Sequence, residues 1–444
     1  MQAPAEGDQM QQLKSGSDCC NYLYEQAQTA PGRNSVLESE GQRVVVIQHW
    51  EDADRIMRVN MANYPKNLRW LEQIAGSSRV TEEGQAWRFR RSLSQAAFSR
   101  FDPRQAATVS TLHAQNIAHG LARSASTILD EQLIHREVFS IFTQMFLALK
   151  AQDIPMHHRN ASQLVEWASQ YAFVVAKPAA GRFSHAQLRD ILQLKNATTQ
   201  ALQGLRSIAQ PAPMLAKMLE AEQSDADNFR LEREIITLMG AGTDTVSYSL
   251  GWAMHLLAQN PGLQARVHTA VAQVYAGNSD ATTRHQALAD CAELQGFVSE
   301  LLRLYPPVPF VTRRARDFDQ LSDLAVQADD AVVVSLVGIN HKARQRPNPW
   351  LPDIDAALQE GKGAGTSTHT SFIWGPRVCA GRNFAMLELR VVLAELLHQL
   401  RFEVSEQVPV ELEWVGQMRR KGGQRVRVAV REPAAPVSAL GARQ

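Results

Sequence analysis

Residues 231–259, LEREIITLMGAGTDTVSYSLGWAMHLLAQ, read as one unbroken helix that stops at Asn260, Pro261 and Gly262. At about 1.5 Å per residue such a helix spans ~43 Å, enough to cross a whole domain. Its middle carries Gly240, Ala241, Gly242, Thr243, Asp244 and Thr245. A glycine inside a helix costs up to ~1 kcal/mol relative to alanine. Close helix–helix packing would be reason enough for these small residues.

The remaining pattern is mostly helical. Helical periodicity runs from Glu83 to about Glu220, broken by SRFDPRQ and AQDIPMHH, and returns over about 263–275, 291–305 and 381–400. Strand signals are fewer. They are QRVVVIQHW (42–50), with a short helix following in EDADRIMRVN, then ADDAVVVSLVGIN (328–340), then the C-terminal stretch from Arg401. The last of these predicts a hairpin turning near Gly422 and Gly423. The expected class is mainly α with a smaller β portion (α+β). One large domain over 21–432 is expected between a polar segment, 1–20, and a loose tail, 433–444. The stretch GKGAGTST (361–368) imitates a phosphate loop but lacks the Gly-Lys-Ser/Thr ending and a preceding strand, so it reads as a surface loop.

Lys plus Arg number 46 against 45 for Asp plus Glu, a formal charge of +1. That balance points to neither nucleic acid nor an anionic membrane surface. The start, MQAPAEGDQMQQLKSGSDCC, has no basic or apolar leader, and no apolar run reaches the ~20 residues of a bilayer span. Cys19, Cys20, Cys291 and Cys379 make a poor disulfide framework for 444 residues. A cytoplasmic protein with reduced thiols is expected.

One cysteine has unusual surroundings, TSFIWGPRVCAGRNFAML (370–387). A lone cysteine is ordinarily a small buried hydrophobe. Here Gly375 and Gly381 flank Cys379 where close backbone approach or a positive φ would be useful, and a helix begins straight after it. Free N–H groups and the positive end of that helix are expected to lower the thiol pKa. A thiolate could attack a substrate, bind a metal or ligate haem iron. Attack wants a histidine base, and none is fixed nearby by the sequence.

From Phe372 to Gly381 the segment resembles, at every defined position, the Phe-x-x-Gly-x-Arg-x-Cys-x-Gly haem loop of the cytochrome P450 family. Arg382, Phe384, Ala385 and Glu388 resemble its proximal helix. The resemblance implies that Cys379 is the axial thiolate of a haem b iron (iron protoporphyrin IX). It implies that Arg377 pairs with a propionate and that Phe372 shields the sulfur. Other motifs follow in the family's order over roughly residues 40–432. Ala241-Gly242-Thr243-Asp244-Thr245 is similar to the oxygen-binding motif, which implies a local widening of the helix and a proton relay through Asp244 and Thr245. Glu300 and Arg303 resemble the structural Glu-x-x-Arg pair. Arg313 is implied as a second propionate ligand, with Arg314 the adjacent alternative. Trp87 and Arg91 resemble a further propionate-binding pair, and with Arg88 and Arg90 they could dock an acidic electron donor. One departure stands out. Where the family has Pro-Glu-Arg-Phe, this chain has Pro352-Asp353-Ile354-Asp355, without the arginine that locks the Glu-x-x-Arg pair. Arg344 or Arg346 could substitute, or the core could be held differently.

The resemblance implies a haem-thiolate monooxygenase of the soluble bacterial type, expected as a monomer. It would insert one atom of O2 into an unactivated C–H bond. Electrons would come from NAD(P)H through a ferredoxin and flavoprotein reductase, or a flavodoxin-like donor. The run RLYPPVPFVTRRARDF tilts the expected substrate toward a fatty acid or other lipid. A tailoring oxidase acting on a peptide, polyketide or terpene is the alternative. Phe310, Val311, Ala241 and Met418 are the expected pocket residues. Two readings from other classes are a haem protein without turnover and a helical interaction protein with a buried Cys379.

Overall fold

Every side chain from Glu234 to Gly240 and from Val246 to Ala258 is buried on the helix that spans Leu231–Gln259, the predicted bounds. A helix apolar all round belongs in the middle of a domain. The computed structural model describes residues 15–39, 41–68, 71–72, 75–150, 152, 158–170, 185–278, 280–342, 348–360 and 369–431. The loop 361–368 and the tail 433–444 lie outside the described residues.

In chain order the first part comprises α1 (Gly16–Thr29), β1 (Ser35–Ser39), β2 (Gln42–Ile47) and α2 (Trp50–Asp54). Next come α3 (Gly84–Ser99), α4 (Pro103–Ala122), α5 (Glu131–Leu147), α6 (Asn160–Gln170), α7 (His185–Gln203) and α8 (Pro213–Gln223). The long central helix is α9 (Leu231–Gln259), followed by α10 (Pro261–Gly277), α11 (Ala281–Asp290) and α12 (Ala292–Leu304). Strands β3 (Phe310–Arg314), β4 (Asp319–Gln320), β5 (Ala325–Val326) and β6 (Ala331–Ser335) precede α13 (Leu336–Lys342) and α14 (Ile354–Glu360). The chain closes with α15 (Arg382–Gln399), β7 (Leu400–Val404), β8 (Leu412–Trp414), β9 (Met418–Arg420) and β10 (Val426–Val430).

The larger sheet has the order β1-β2-β6-β3, with β2 and β6 parallel and the outer pairs antiparallel. Strand alternation sends Val44, Val46 and Val333 into the main helical core. Val45, Ile47, Val332 and Val334 point the other way, into a smaller core with Ile56 and Tyr64. On the helical side α9 packs against α5 and α15, and α4 bridges α5 and α15. Among the described residues no helix is long and apolar enough to cross a membrane.

Three expectations need correction. Helix α1 takes in residues 16–20 of the supposed polar segment and buries Cys19 and Cys20, because its apolar stripe packs into the main core. Of ADDAVVVSLVGIN only Ala331–Ser335 is a strand. Ser335 Oγ then accepts the Gly338 N–H at 3.0 Å, an N-cap that starts α13. The C-terminal hairpin is β8–β9, in register Leu412 to Arg420, and it turns through Gly416, whose φ of +90° suits glycine. Gly422 and Gly423 instead pass the chain from β9 to β10, which pairs with β7.

Candidate active site around Cys379

Segments far apart in sequence enclose a cavity of about 450 Å³: residues near Lys66 and Arg79, α3, the middle of α9, β3, the Cys379 loop and the start of α15. Gly240, Ala241, Gly242 and Thr245 line it from α9. Ala241 is exposed in the middle of a largely buried helix and lines the cavity, so its exposure is to the cavity. Gly242 also serves packing, since a Cβ there would stand 2.6 Å from Phe142 Cδ2. Gly242→Ala is expected to cost about 1–3 kcal/mol, read as a lower denaturant midpoint, because the ring cannot yield without repacking.

The implied widening of α9 is not found. Thr245 Oγ1 donates to Ala241 O at 2.8 Å while the helix runs on regularly. A threonine hydroxyl can take that carbonyl without opening the turn. Nor do Asp244 and Thr245 meet at the cavity wall. Adjacent helical residues point about 100° apart, and Asp244 turns into the protein, 1% exposed. Its Oδ1 accepts from Ser162 Oγ at 2.5 Å and lies 2.6 Å from His135 Nε2.

Cations collect along one edge. Arg377 pairs with Glu83, yet its Nε and Nη1 are buried without a partner among the described residues. Arg313 donates to Thr312 O at 2.8 Å while its Nε is likewise unpartnered. Burial first, and the Arg377 charge second, push the Arg313 pKa down to about 9. Burial also brings Lys66 down to about 7, against the pull of Glu83. Arg91 lies 5.4 Å from the Trp87 ring and donates to Gln95 Oε1 at 3.0 Å. Buried cations outnumber the acids near them, Glu83 and Glu234, so the site is short of negative charge. Arg313, not Arg314, lines the cavity, since Arg314 pairs with Asp329 at the surface at 3.1 Å. Arg90 is not a surface residue. It is buried, bonds Asp227 O at 3.1 Å and lies over Phe229, which leaves only Arg88 exposed there for docking.

In the cysteine loop the Cys379 N–H donates to Phe372 O at 3.0 Å. Gly375 takes a φ of +72°, and Ile373 is held at +48°, a costly conformation for a β-branched residue and a mark of a constrained loop. Gly381 has an ordinary φ of −84°. A Cβ there would meet only Phe98 Cδ1, at 4.0 Å, and Gly381 borders the cavity. The Cys379 side chain is open to the cavity but enclosed by protein. Burial therefore raises its pKa, with the Gly381 N–H and then Arg79, Arg91 and Arg382 pulling the other way. This corrects the expectation of a lowered pKa: desolvation outweighs the helix start.

Among the described residues no group of three or more His, Cys, Asp or Glu side chains gathers to hold a metal. A haem iron, whose ring supplies its own donors, would ask the protein for one axial ligand, and Cys379 offers one. A haem meets every feature here: apolar walls including Leu238, Val246 and Phe384, unpartnered N–H groups of Arg313 and Arg377 for two carboxylates, and one sulfur.

Phe310, Val311 and Ala241 line the cavity, but Met418 does not. It is wholly buried and its N–H donates to Pro307 O at 2.8 Å. Because the hairpin turns at Gly416, that residue and Gln417 take the wall instead. Glu300 and Arg303 are both 0% exposed and bonded at 2.8 and 3.0 Å. Among the described residues, backbone groups join the pair. Arg303 donates to Pro349 O at 2.7 Å and Leu351 O at 3.3 Å, and the Asp353 N–H donates to Glu300 at 3.0 Å. Arg344 and Arg346 lie outside the described residues. Sequence reading missed Lys66, Glu83, Gln417 and His135. Glu83 precedes α3, as capping acids do, and so carried a weak signal; the others carry none.

The family model described as cytochrome P450 matches residues 9–421. A cytochrome P450 of Paris polyphylla is 23% identical over 95% of this chain and 90% of its own length. Pentalenene oxygenase of Streptomyces avermitilis is 25% identical over 73% of this chain and 66% of its own. The 11-oxo-beta-amyrin 30-oxidase of Glycyrrhiza uralensis is 34% identical over 37% of this chain, which spans 32% of that relative's length.

Proposed function

The chain belongs to the cytochrome P450 family, and on that premise we propose that it is a haem-thiolate monooxygenase acting on a hydrophobic substrate. The overall reaction is RH + O2 + 2H⁺ + 2e⁻ giving ROH and water, with electrons from NAD(P)H through a ferredoxin and flavoprotein reductase or a flavodoxin-like donor. The carrying observation is the Cys379 thiol facing an apolar cavity whose edge holds the unpartnered N–H groups of Arg313 and Arg377. Haem, when bound, supplies the oxygen activation that no side chain offers.

The protein's own residues do the rest. Cys379 would ligate the iron, and Phe372 would hold the loop through its carbonyl and cover the sulfur. Arg313, Arg377, Trp87 and Arg91 would take the propionates, at charge-assisted hydrogen-bond strength for the arginines. Glycine at 381 keeps the wall clear beside the sulfur, and Ala241 does the same on α9. Thr245 stands at the cavity and Asp244 lies inside the protein on the same turn of α9, and each would hold protons the reaction consumes. Residues 21–432 act as one unit in this reading, in a monomeric cytoplasmic protein.

Leu71, Val80, Phe142, Phe146, Phe310 and Trp414 give the cavity an apolar lining that suits a fatty-acid or lipid chain. Terpene tailoring is a second reading, favoured by two relatives named for oxidising pentalenene and 11-oxo-beta-amyrin. Dithionite reduction under carbon monoxide tests the main claim: a strongly red-shifted Soret band is expected. No haem, or the band of a histidine-ligated haem, would sink it. Titrating with fatty acids and with terpene hydrocarbons, and following the low-to-high-spin shift, decides between the substrate classes.

A further inference from the structure

We propose that His158 and His135 form a proton inlet to Asp244, leading from a surface cleft to the cavity. The proposal rests on the monooxygenase reading, which consumes two protons per turnover. Asp244 is 1% exposed and does not line the cavity, so it has no direct face on solvent. His135, on α5, is buried to the same degree. Its Nε2 lies 2.6 Å from Asp244 Oδ1 and 3.0 Å from Ser162 Oγ, which donates to the same carboxylate oxygen.

Outward from this pair, the His158 ring lies against the His135 ring, with centroids 5.3 Å apart and planes tilted by 43°. His158 stands on the wall of a second cavity, about 410 Å³ and open to solvent, with Arg123, Asp130 and Arg136. Inward, a Cβ at Gly240 would lie 4.0 Å from Asp244 Oδ2, and Gly240 lines the main cavity with Thr245. His135 Nδ1 and Asp244 Oδ2 have no hydrogen-bond partner among the described residues. Each buried group thus keeps one atom outside their mutual hydrogen bond, and a relay needs one atom to take a proton and another to pass it on. Imidazole meets that need with its two nitrogens and a titration range near neutrality.

The step moves protons only. His158 takes one from solvent and gives it to His135, which gives it to the Asp244 carboxylate, and no electron is transferred. Other charged and titratable groups close by are Arg159, Tyr248, Glu166 and Arg419. Arg159 Nη1 contacts the Tyr248 hydroxyl at 3.4 Å, and Arg419 Nη1 contacts Glu166 at 3.0 Å. Both Arg159 and Tyr248 feel the Asp244 charge. The competing role for His135 is structural, as partner to a buried acid.

His135→Gln keeps an amide that can bond Asp244 but cannot titrate; His158→Gln tests the outer position and spares the buried pair. Both are expected to retain the thiolate band and the substrate-induced spin shift. Turnover should fall about tenfold in His135→Gln, below the ~10²–10⁴-fold of a direct general acid because water can leak in. Peroxide released per NAD(P)H and the solvent deuterium isotope effect should both rise in the two variants. A wild-type protein without the thiolate band would refute the monooxygenase reading. A wild type that has the band and forms product, with coupling and isotope effect unchanged in both variants, overturns the inlet alone.

Discussion

Cys379→Ala is expected to give a folded protein that has lost the red-shifted carbon monoxide band and all monooxygenase turnover. The Cys379 side chain faces the cavity and makes no part of either hydrophobic core. Its removal should therefore leave the fold of the haem-free protein intact. The loop keeps its own supports, the Cys379 N–H to Phe372 O bond and the left-handed Gly375, and neither needs the sulfur. Circular dichroism and a denaturation curve would establish the fold, and the reduced difference spectrum would establish the ligand. A variant that keeps the thiolate band would place the iron's sulfur elsewhere, and the only described alternatives, Cys19, Cys20 and Cys291, are all buried.

Arg303→Ala is expected to be the most destabilising single change outside the cysteine loop, by about 3–5 kcal/mol in urea unfolding. It would take from the Glu300 carboxylate, at 0% exposure, the guanidinium it bonds at 2.8 and 3.0 Å, and leave the carbonyls of Pro349 and Leu351 without this donor. The double variant Glu300→Leu, Arg303→Met removes both charges at once and should recover much of that loss, since a buried pair replaced by apolar groups is often neutral. If Arg303→Ala unfolds at the wild-type midpoint, the pair does not hold the segment 349–353 in place.

Much of this site is legible in the residues because its signals are local. The extent of α9 follows from an apolar run closed by Asn-Pro-Gly. The pairing of Glu300 with Arg303 follows from a spacing of three on one helix. The loop around Cys379 carries its own glycines. Spacing fails where strand direction is at stake: Met418 and Gln417 are neighbours, and only the turn at Gly416 settles which faces the cavity.

The remaining features depend on partners that local sequence cannot supply. Asp244 finds His135, 109 residues away, and Arg303 finds two carbonyls more than forty residues downstream. The helix start argues for a low Cys379 pKa, and enclosure reverses the direction. A residue's own sequence neighbourhood fixes its backbone conformation and its helical face, because those depend on interactions within a turn or two. Desolvation and long-range pairing arise only when distant elements close over it, and in this protein they set the surroundings of the sulfur, the partner of the acid and the lock on the buried arginine.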